Sequence, residues 1–223
     1  MEILKTFRHE YKYVIPYGDM LEIRNKLDDV LKLDQGGPYF VRSVYFDNPE
    51  NEDYYAKQNG EIVRKKLRIR IYDIDSDLAK IEIKGKYDYH QLKESLVISK
   101  EIAKRIINGE YHDLLQIDND LAKRIYVLLQ SGYRPKVIIE YDRVAYIATT
   151  TTRITFDYNI KKSNDFDNFY SNDINYIELT NPNDVILEVK FDRFLEPYIS
   201  KILEKYTSRY QSVSKYVMGR NEY

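Results

Sequence analysis

The stretch Arg64-Lys65-Lys66-Leu67-Arg68-Ile69-Arg70-Ile71-Tyr72 carries a cation at every second position. Side chains of an extended chain alternate between two faces, so Arg64, Lys66, Arg68 and Arg70 share one face while Val63, Leu67, Ile69 and Ile71 share the other. The apolar row suits a core. The cationic row needs counter-charge: two like charges about 5 Å apart repel by roughly 1 kcal/mol in water, and several times more at an effective dielectric near 20. Its chemistry is therefore that of carboxylates or a polyanionic ligand held opposite, unless the row is simply the solvated outer face of a sheet.

The pattern recurs along the chain. Arg8, Glu10 and Lys12 alternate with Phe7, Tyr11 and Tyr13; Lys80, Glu82, Lys84 and Lys86 alternate with Ile81, Ile83 and Gly85. Arg153 and Asp157 alternate with Ile154 and Phe156, and Glu188 and Lys190 with Leu187, Val189 and Phe191. Lys136 to Ala148 alternates less cleanly and reads as a strand with both faces partly covered. Strands of this kind build either an open sheet with its charges in water or a closed sheet whose charges line a wet lumen. We favour the closed form, which removes exposed edges and concentrates positive potential between low-dielectric walls.

The chain of 223 residues can form one substantial domain. Its 35 basic and 36 acidic residues nearly cancel, which argues against a general nucleic-acid or membrane binder and for a compact anion held in a site. With no cysteine, disulfides, zinc-thiolate sites and cysteine nucleophiles are excluded. His9, His90 and His112 show no metal-ligand spacing. No apolar run approaches the roughly 20 residues of a membrane span, so the expected location is cytoplasmic. Most of the 23 tyrosines read as half-buried scaffold.

Around the charged strands, Asp19 and Glu22 read as a capping box for a helix whose stripe is Met20, Ile23, Leu27, Val30 and Leu31, ended by Gly36-Gly37-Pro38. A strand from Tyr39 to Phe46 leads to a short helical piece holding Tyr54, Tyr55 and Lys57. Between Lys100 and Ser131 the spacing of Ile102, Ile106 and Ile107, then Leu121, Ile125, Leu128 and Leu129, is helical. Strands return from Pro135 to Tyr158, Lys161 to Asn175 reads as a surface loop, and a last strand from Val185 to Phe191 precedes helices near Pro197 to Lys205 and Ser212 to Val217. The sum is one α+β domain over residues 1–223, with a closed antiparallel β-tunnel, a basic lumen and helices packed outside.

Arg8-His-Glu-Tyr-Lys-Tyr13, Ser43-Val-Tyr-Phe-Asp47, Lys66-Leu-Arg-Ile-Arg70, Ile81-Glu-Ile-Lys84, Tyr141-Asp-Arg143, Arg153-Ile-Thr-Phe-Asp157, Ile186-Leu-Glu-Val-Lys190 and Ser214-Lys215-Tyr216 follow one another as they do in the VTC domain. Over residues 7–219 the chain resembles this catalytic part of vacuolar transporter chaperone polyphosphate polymerases, within the triphosphate tunnel metalloenzyme superfamily. The resemblance implies ATP-dependent extension of inorganic polyphosphate. Lys12, Arg68, Arg70, Lys84, Arg143 and Arg153 would act on the reacting phosphates, and Lys93, Tyr141 and Lys215 would help to hold triphosphate, pyrophosphate or the growing chain. Lys66 and Lys190 join them by parity. Glu188 would bind a divalent metal, Mn²⁺ or Mg²⁺, with Glu10 and Glu82 either helping it or serving as internal ion-pair partners.

Two departures matter. Hydrolytic relatives carry Glu-x-Glu-x-Lys on the first strand, where this chain has Arg8, Glu10 and Lys12; the swap favours the polymerase branch. Where polymerases carry an extra lysine on the C-terminal helix this chain has Ser212, with Arg209 nearby as a substitute. A metal-dependent triphosphatase and a non-catalytic polyphosphate-binding module are the alternatives, and recruitment by a membrane-protein partner is left open.

Overall fold

The computed structural model describes the backbone of residues 8–87 and 90–221 and, within these, all side chains except those of residues 8, 87, 90, 91 and 207–209. In chain order the elements are β1 (Arg8–Pro16), α1 (Tyr17–Asp28), β2 (Lys32–Leu33), β3 (Tyr39–Asp47), α2 (Glu52–Gln58), β4 (Val63–Arg64), β5 (Leu67–Ile71), β6 (Leu78–Tyr87), β7 (His90–Ser99), α3 (Lys100–Ile107), α4 (Asp120–Gln130), β8 (Arg134–Ile147), β9 (Arg153–Ser163), β10 (Ile177–Glu178), β11 (Asp184–Asp192), α5 (Pro197–Leu203) and α6 (Lys215–Arg220). They form a mixed α+β protein in which β1 with β11, β11 with β9, β2 with β8, β3 with β5, and β6 with β4, β5 and β7 all pair antiparallel. The chain divides into two compact units, one from Met1–Phe40, Tyr141–Ile160 and Glu178–Ser214, the other from Val41–Glu140, Lys161–Ile177 and Lys215–Tyr223.

In the first unit the strands run β1, β11, β9 and the second half of β8. Their apolar face meets α1 and α5 in one core of Tyr13, Ile15, Met20, Ile23, Leu27, Val144, Tyr146, Ile154, Phe156, Val185, Leu187, Val189, Ile199 and Leu203. The register sets Lys12 opposite Glu188 and Glu10 opposite Lys190, and Thr155 opposite Glu188 and Arg153 opposite Lys190. The charged residues of three strands therefore share the other face. Helix α1 starts earlier than the capping-box reading placed it: Pro16 is its N-cap with no side-chain cap, and Asp19 lies inside the first turn. The Tyr17 N–H is satisfied instead by the Asn183 carbonyl at 2.8 Å. Val30 falls beyond the helix and is exposed.

In the second unit the first half of β8 is followed by β3, β5 and β6, with β7 and β4 both paired to β6. Leu67, Ile69, Ile71, Ile81 and Ile83 are buried, as are Ala103 and Ile106 of α3 and Leu121, Ala122, Ile125 and Leu129 of α4. Strand β7 was not anticipated. Its Leu92, Leu96 and Ile98 alternate with Lys93, Ser95 and Ser99, but Glu94 interrupts the apolar row and Val97 the polar one, which softens the period-two signal. The segment after β9 is a loop as expected, yet it is pinned: the Arg42 guanidinium donates to the carbonyls of Phe169 and Ser171 at 2.7 and 2.8 Å and to Glu140 at 2.6 Å. Tyr176 donates to the same carboxylate at 2.6 Å.

Neither unit's path of hydrogen-bonded strands returns to its first strand, so these pairings do not give the expected closed sheet. The physical reason in the first unit is that the outer edge of β1 is used differently. Tyr210 bridges Tyr13 and the Gln211 N–H donates to the Lys12 carbonyl at 2.9 Å, so a C-terminal segment caps the edge. Helix α6 packs closely in the second unit, where Gly219 is required: a Cβ there would collide with Ile139 Cδ1 and sit 3.2 Å from Val137 Cγ2.

Candidate functional site

The sequence-predicted residues fall into one charged cluster in each unit. In the first, Lys12 lies 2.9 Å from Glu10 and 3.7 Å from Glu188, and Lys190 lies 3.2 Å from Glu188. Burial alone would lower the Lys12 ammonium, but Glu188, Glu10 and Asp157 outweigh it and hold it well above the ordinary lysine value. Arg143 forms a two-pronged pair with the fully buried Asp157, Nε to Oδ1 at 2.6 Å and Nη2 to Oδ2 at 2.8 Å. The Tyr141 ring lies 5.2 Å from that guanidinium. Arg153 pairs with Asp34 and receives the Tyr39 hydroxyl at 3.0 Å as a second acceptor.

In the second unit Arg68 donates to Glu82 at 2.7 Å, and Lys93 reaches the other oxygen of that carboxylate at 2.5 Å. Arg70, almost fully buried, donates to Ser43 Oγ at 3.0 Å. Lys66 and Lys84 exchange both backbone hydrogen bonds, at 2.9 and 3.0 Å, and Lys84 faces Lys93 across the next pairing. Three lysines thus stand in line across the sheet, and their mutual repulsion is offset in part by Glu82 at Lys93. Tyr45 and Tyr216 stack at 5.2 Å, with Arg68 5.9 Å from the first ring and Lys66 5.8 Å from the second. Tyr216 is anchored by its hydroxyl, which donates to Asp47 at 2.5 Å, so α6 is fixed with Lys215 at its first position.

Burial would raise the Glu82 carboxyl, but Arg68, Arg70 and Lys93 dominate and hold it at about 2. Its contribution to stability is complete above pH 4.5 and is lost as pH falls from there toward 2. Asp53, on α2, is the opposite case. Burial, opposed by Lys65 and reinforced by Asp47, pushes its carboxyl up to about 7. The folded protein then binds a proton that the unfolded chain releases near pH 4, and stability declines as pH rises through that interval. Between pH 5 and pH 8 this group costs roughly 2–3 kcal/mol. In Asp53→Asn that part of the decline disappears, as denaturant unfolding at the two pH values would show; parallel profiles for the two proteins would contradict it.

Sequence reasoning missed Asp157 and Thr155 as site residues. Asp157 orients Arg143, and Thr155, buried beside Glu188 in the register, has an Oγ1 that makes no hydrogen bond. Both sit in the Arg153-Ile-Thr-Phe-Asp157 alternation, which was the available signal. Among the described residues no three carboxylate or imidazole groups converge on one point. The set of Glu10, Glu188 and the orphaned Thr155 hydroxyl nevertheless fits a hard divalent ion of the Mg²⁺ type, which takes one or two carboxylates and completes its shell with water and substrate phosphate. Glu82 is engaged by Arg68 and Lys93. The side chains of Arg8 and Arg209 lie outside the described residues, and Ser212 precedes α6 rather than lying on it. No described helix is long and apolar enough to cross a membrane.

The model of the family described as the VTC domain matches residues 7–222. No curated protein matches the chain. Among solved structures, a candidate adenylyl cyclase from Hippeastrum, described as revealing a dominant triphosphatase activity, aligns with a TM-score of 0.59 at 13% identity, covering 95% of this chain and 94% of that one. A candidate adenylate cyclase from Bacillus halodurans aligns with a TM-score of 0.53 at 14% identity over 93% and 95% of the two chains. At such identities the likeness is one of fold.

Proposed function

The chain belongs to the VTC domain family, and on that premise we propose that it transfers the γ-phosphate of ATP to the end of an inorganic polyphosphate chain and releases ADP. The observation that carries this reading is the pair of cation clusters, each braced by carboxylates: Lys12, Arg143 and Lys190 on the half-buried Glu10 and the buried Asp157 and Glu188, and Arg68 and Lys93 on the buried Glu82. Phosphoryl transfer asks a protein mainly for in-line positioning and neutralisation of phosphate charge, which fixed arginine forks and lysines supply. Asp157 takes Nε and Nη2 of Arg143 and leaves Nη1 to a phosphate oxygen.

A terminal oxygen of the polyphosphate chain attacks the γ-phosphorus, and the bond from that phosphorus to the β,γ-bridging oxygen breaks. ADP leaves with the electron pair. In the second unit Arg68, Arg70 and Lys84, with Lys66, Lys93 and Lys215, would bind phosphate oxygens, and in the first unit Arg153 and Tyr141 would do the same. A divalent ion on Glu188 and Glu10 would neutralise charge on the phosphate oxygens. The reading places this activity in the cytoplasm.

A metal-dependent triphosphatase is the second reading, favoured by the Hippeastrum protein of similar fold with its described triphosphatase activity. The first strand separates the two. Arg8→Glu restores the Glu-x-Glu-x-Lys pattern and is expected to raise the share of γ-phosphate released as orthophosphate at the expense of polyphosphate, read as the ratio of the two products at equal ATP consumption. An unchanged ratio would remove the first-strand argument. For the wild type, ADP release that rises when short polyphosphate is added supports the polymerase; release indifferent to primer and matched by orthophosphate contradicts it.

A further inference from the structure

The cationic row of β5 ends in an aromatic ring. Tyr72 follows Ile71 directly and continues the parity of Lys66, Arg68 and Arg70. Its ring centre lies 5.9 Å from the Arg70 guanidinium and 5.4 Å from the Lys80 ammonium. Arg70 and Lys80 are themselves register partners on β5 and β6. Arg70 is held in place by Ser43, whereas Lys80 is exposed and Tyr72 half-buried. One approach to the ring is therefore flanked by a fixed cation and another by a displaceable one.

We propose that Tyr72 is a stacking platform for a nucleobase, so that the site takes a nucleoside triphosphate lying along β5 with its phosphates on Arg70 and Arg68. The inference rests on the reading of that row as the triphosphate-binding surface. From Arg68 to Tyr72 is four residues of extended chain, roughly 13 Å at about 3.3 Å each, the reach of an extended nucleoside triphosphate from its terminal phosphate to its base. An aromatic ring stacks on the π-face that every base offers, and neighbouring cations add attraction to the same face. No hydrogen-bonding side chain is needed for such a contact, so the platform holds purine nucleotides without choosing between them. Inorganic tripolyphosphate, with no base, uses the cations alone.

Calorimetric binding of ATP, GTP and inorganic tripolyphosphate to the wild type, Tyr72→Ala and Tyr72→Phe separates these contributions. In the wild type ATP and GTP are expected to bind within about twofold of each other. Tyr72→Ala is expected to weaken both by about tenfold, the scale of one lost base stack, and to leave tripolyphosphate within twofold. Tyr72→Phe keeps the ring and removes only the hydroxyl that accepts from Arg70, so any loss it shows is equal for the three ligands and ATP and GTP keep their advantage over Tyr72→Ala. Equal loss of ATP and tripolyphosphate in Tyr72→Ala would make Tyr72 a support for Arg70 and overturn the platform, as would unchanged ATP binding. A wild-type protein that binds none of the three would overturn the reading of the cationic row, and the platform with it.

Discussion

Glu188→Gln is expected to lower ATP turnover by about 10²–10³-fold, the scale of removing one preorganised electrostatic contact from a transition state, while the protein stays folded. Glutamine keeps the shape of a side chain that is 6% exposed and removes its charge. Lys12 retains Glu10 at 2.9 Å, and Lys190, which loses its carboxylate, has a side chain 31% exposed and can turn to water. The charge is lost at the carboxylate that Lys12 and Lys190 approach and that Thr155 faces in the register, the position proposed above for a divalent ion. The dependence of rate on Mn²⁺ or Mg²⁺ concentration should move to higher metal as the maximal rate falls. Unaltered turnover with an unaltered metal requirement would reduce Glu188 to an ion-pair partner of two lysines.

Arg143→Ala is expected to cost about 3–5 kcal/mol of folding stability, because removing one member of a buried ion pair leaves the other uncompensated. Asp157 has no exposed surface, and the pair uses two hydrogen bonds of 2.6 and 2.8 Å. Activity lost in that variant alone would be ambiguous between unfolding and chemistry. The double variant Arg143→Met with Asp157→Leu replaces both charges by apolar side chains, a change that is often neutral for a buried pair. It is expected to recover most of the stability without the turnover, since no guanidinium remains for the phosphate. Recovery of both would show that Arg143 only closes a charge balance.

Much of this arrangement was legible because a charged row and an apolar row cannot exchange faces without burying the wrong set. The parity of Lys66, Arg68 and Arg70 and that of Glu188 and Lys190 placed those residues together, and the register confirmed that Glu10, Lys12, Thr155 and Arg153 share the face of Glu188. What parity could not supply was partnership across the sequence. Asp157 looked like one more alternating acid until β8 and β9 set it against Arg143, and Asp47 could not be tied to Tyr216 before α6 was placed. Strand β7 was obscured by charges on both of its faces, among them Glu94, which pairs with Arg124 of α4. The loop after β9 looked like free surface from its Ser, Asn and Asp content, whereas Phe169 is buried and Arg42 holds its carbonyls. A long-range anchor of that kind leaves no local trace in composition. The closed sheet was a geometric extrapolation from charge pattern, and the edge of β1 shows how a C-terminal segment can occupy a strand edge instead.

Phosphate taken from ATP is expected to be added to a polyphosphate chain. The most direct measurement incubates the purified protein with ATP and Mn²⁺ or Mg²⁺, with and without short polyphosphate, and quantifies ADP, orthophosphate and chain polyphosphate separately. ADP is expected to be matched mole for mole by phosphate in lengthening chains, with little orthophosphate and with both signals lost in Glu188→Gln. ADP matched by orthophosphate would contradict it in favour of a triphosphatase, and tight polyphosphate binding without any ADP would contradict it in favour of a binding module.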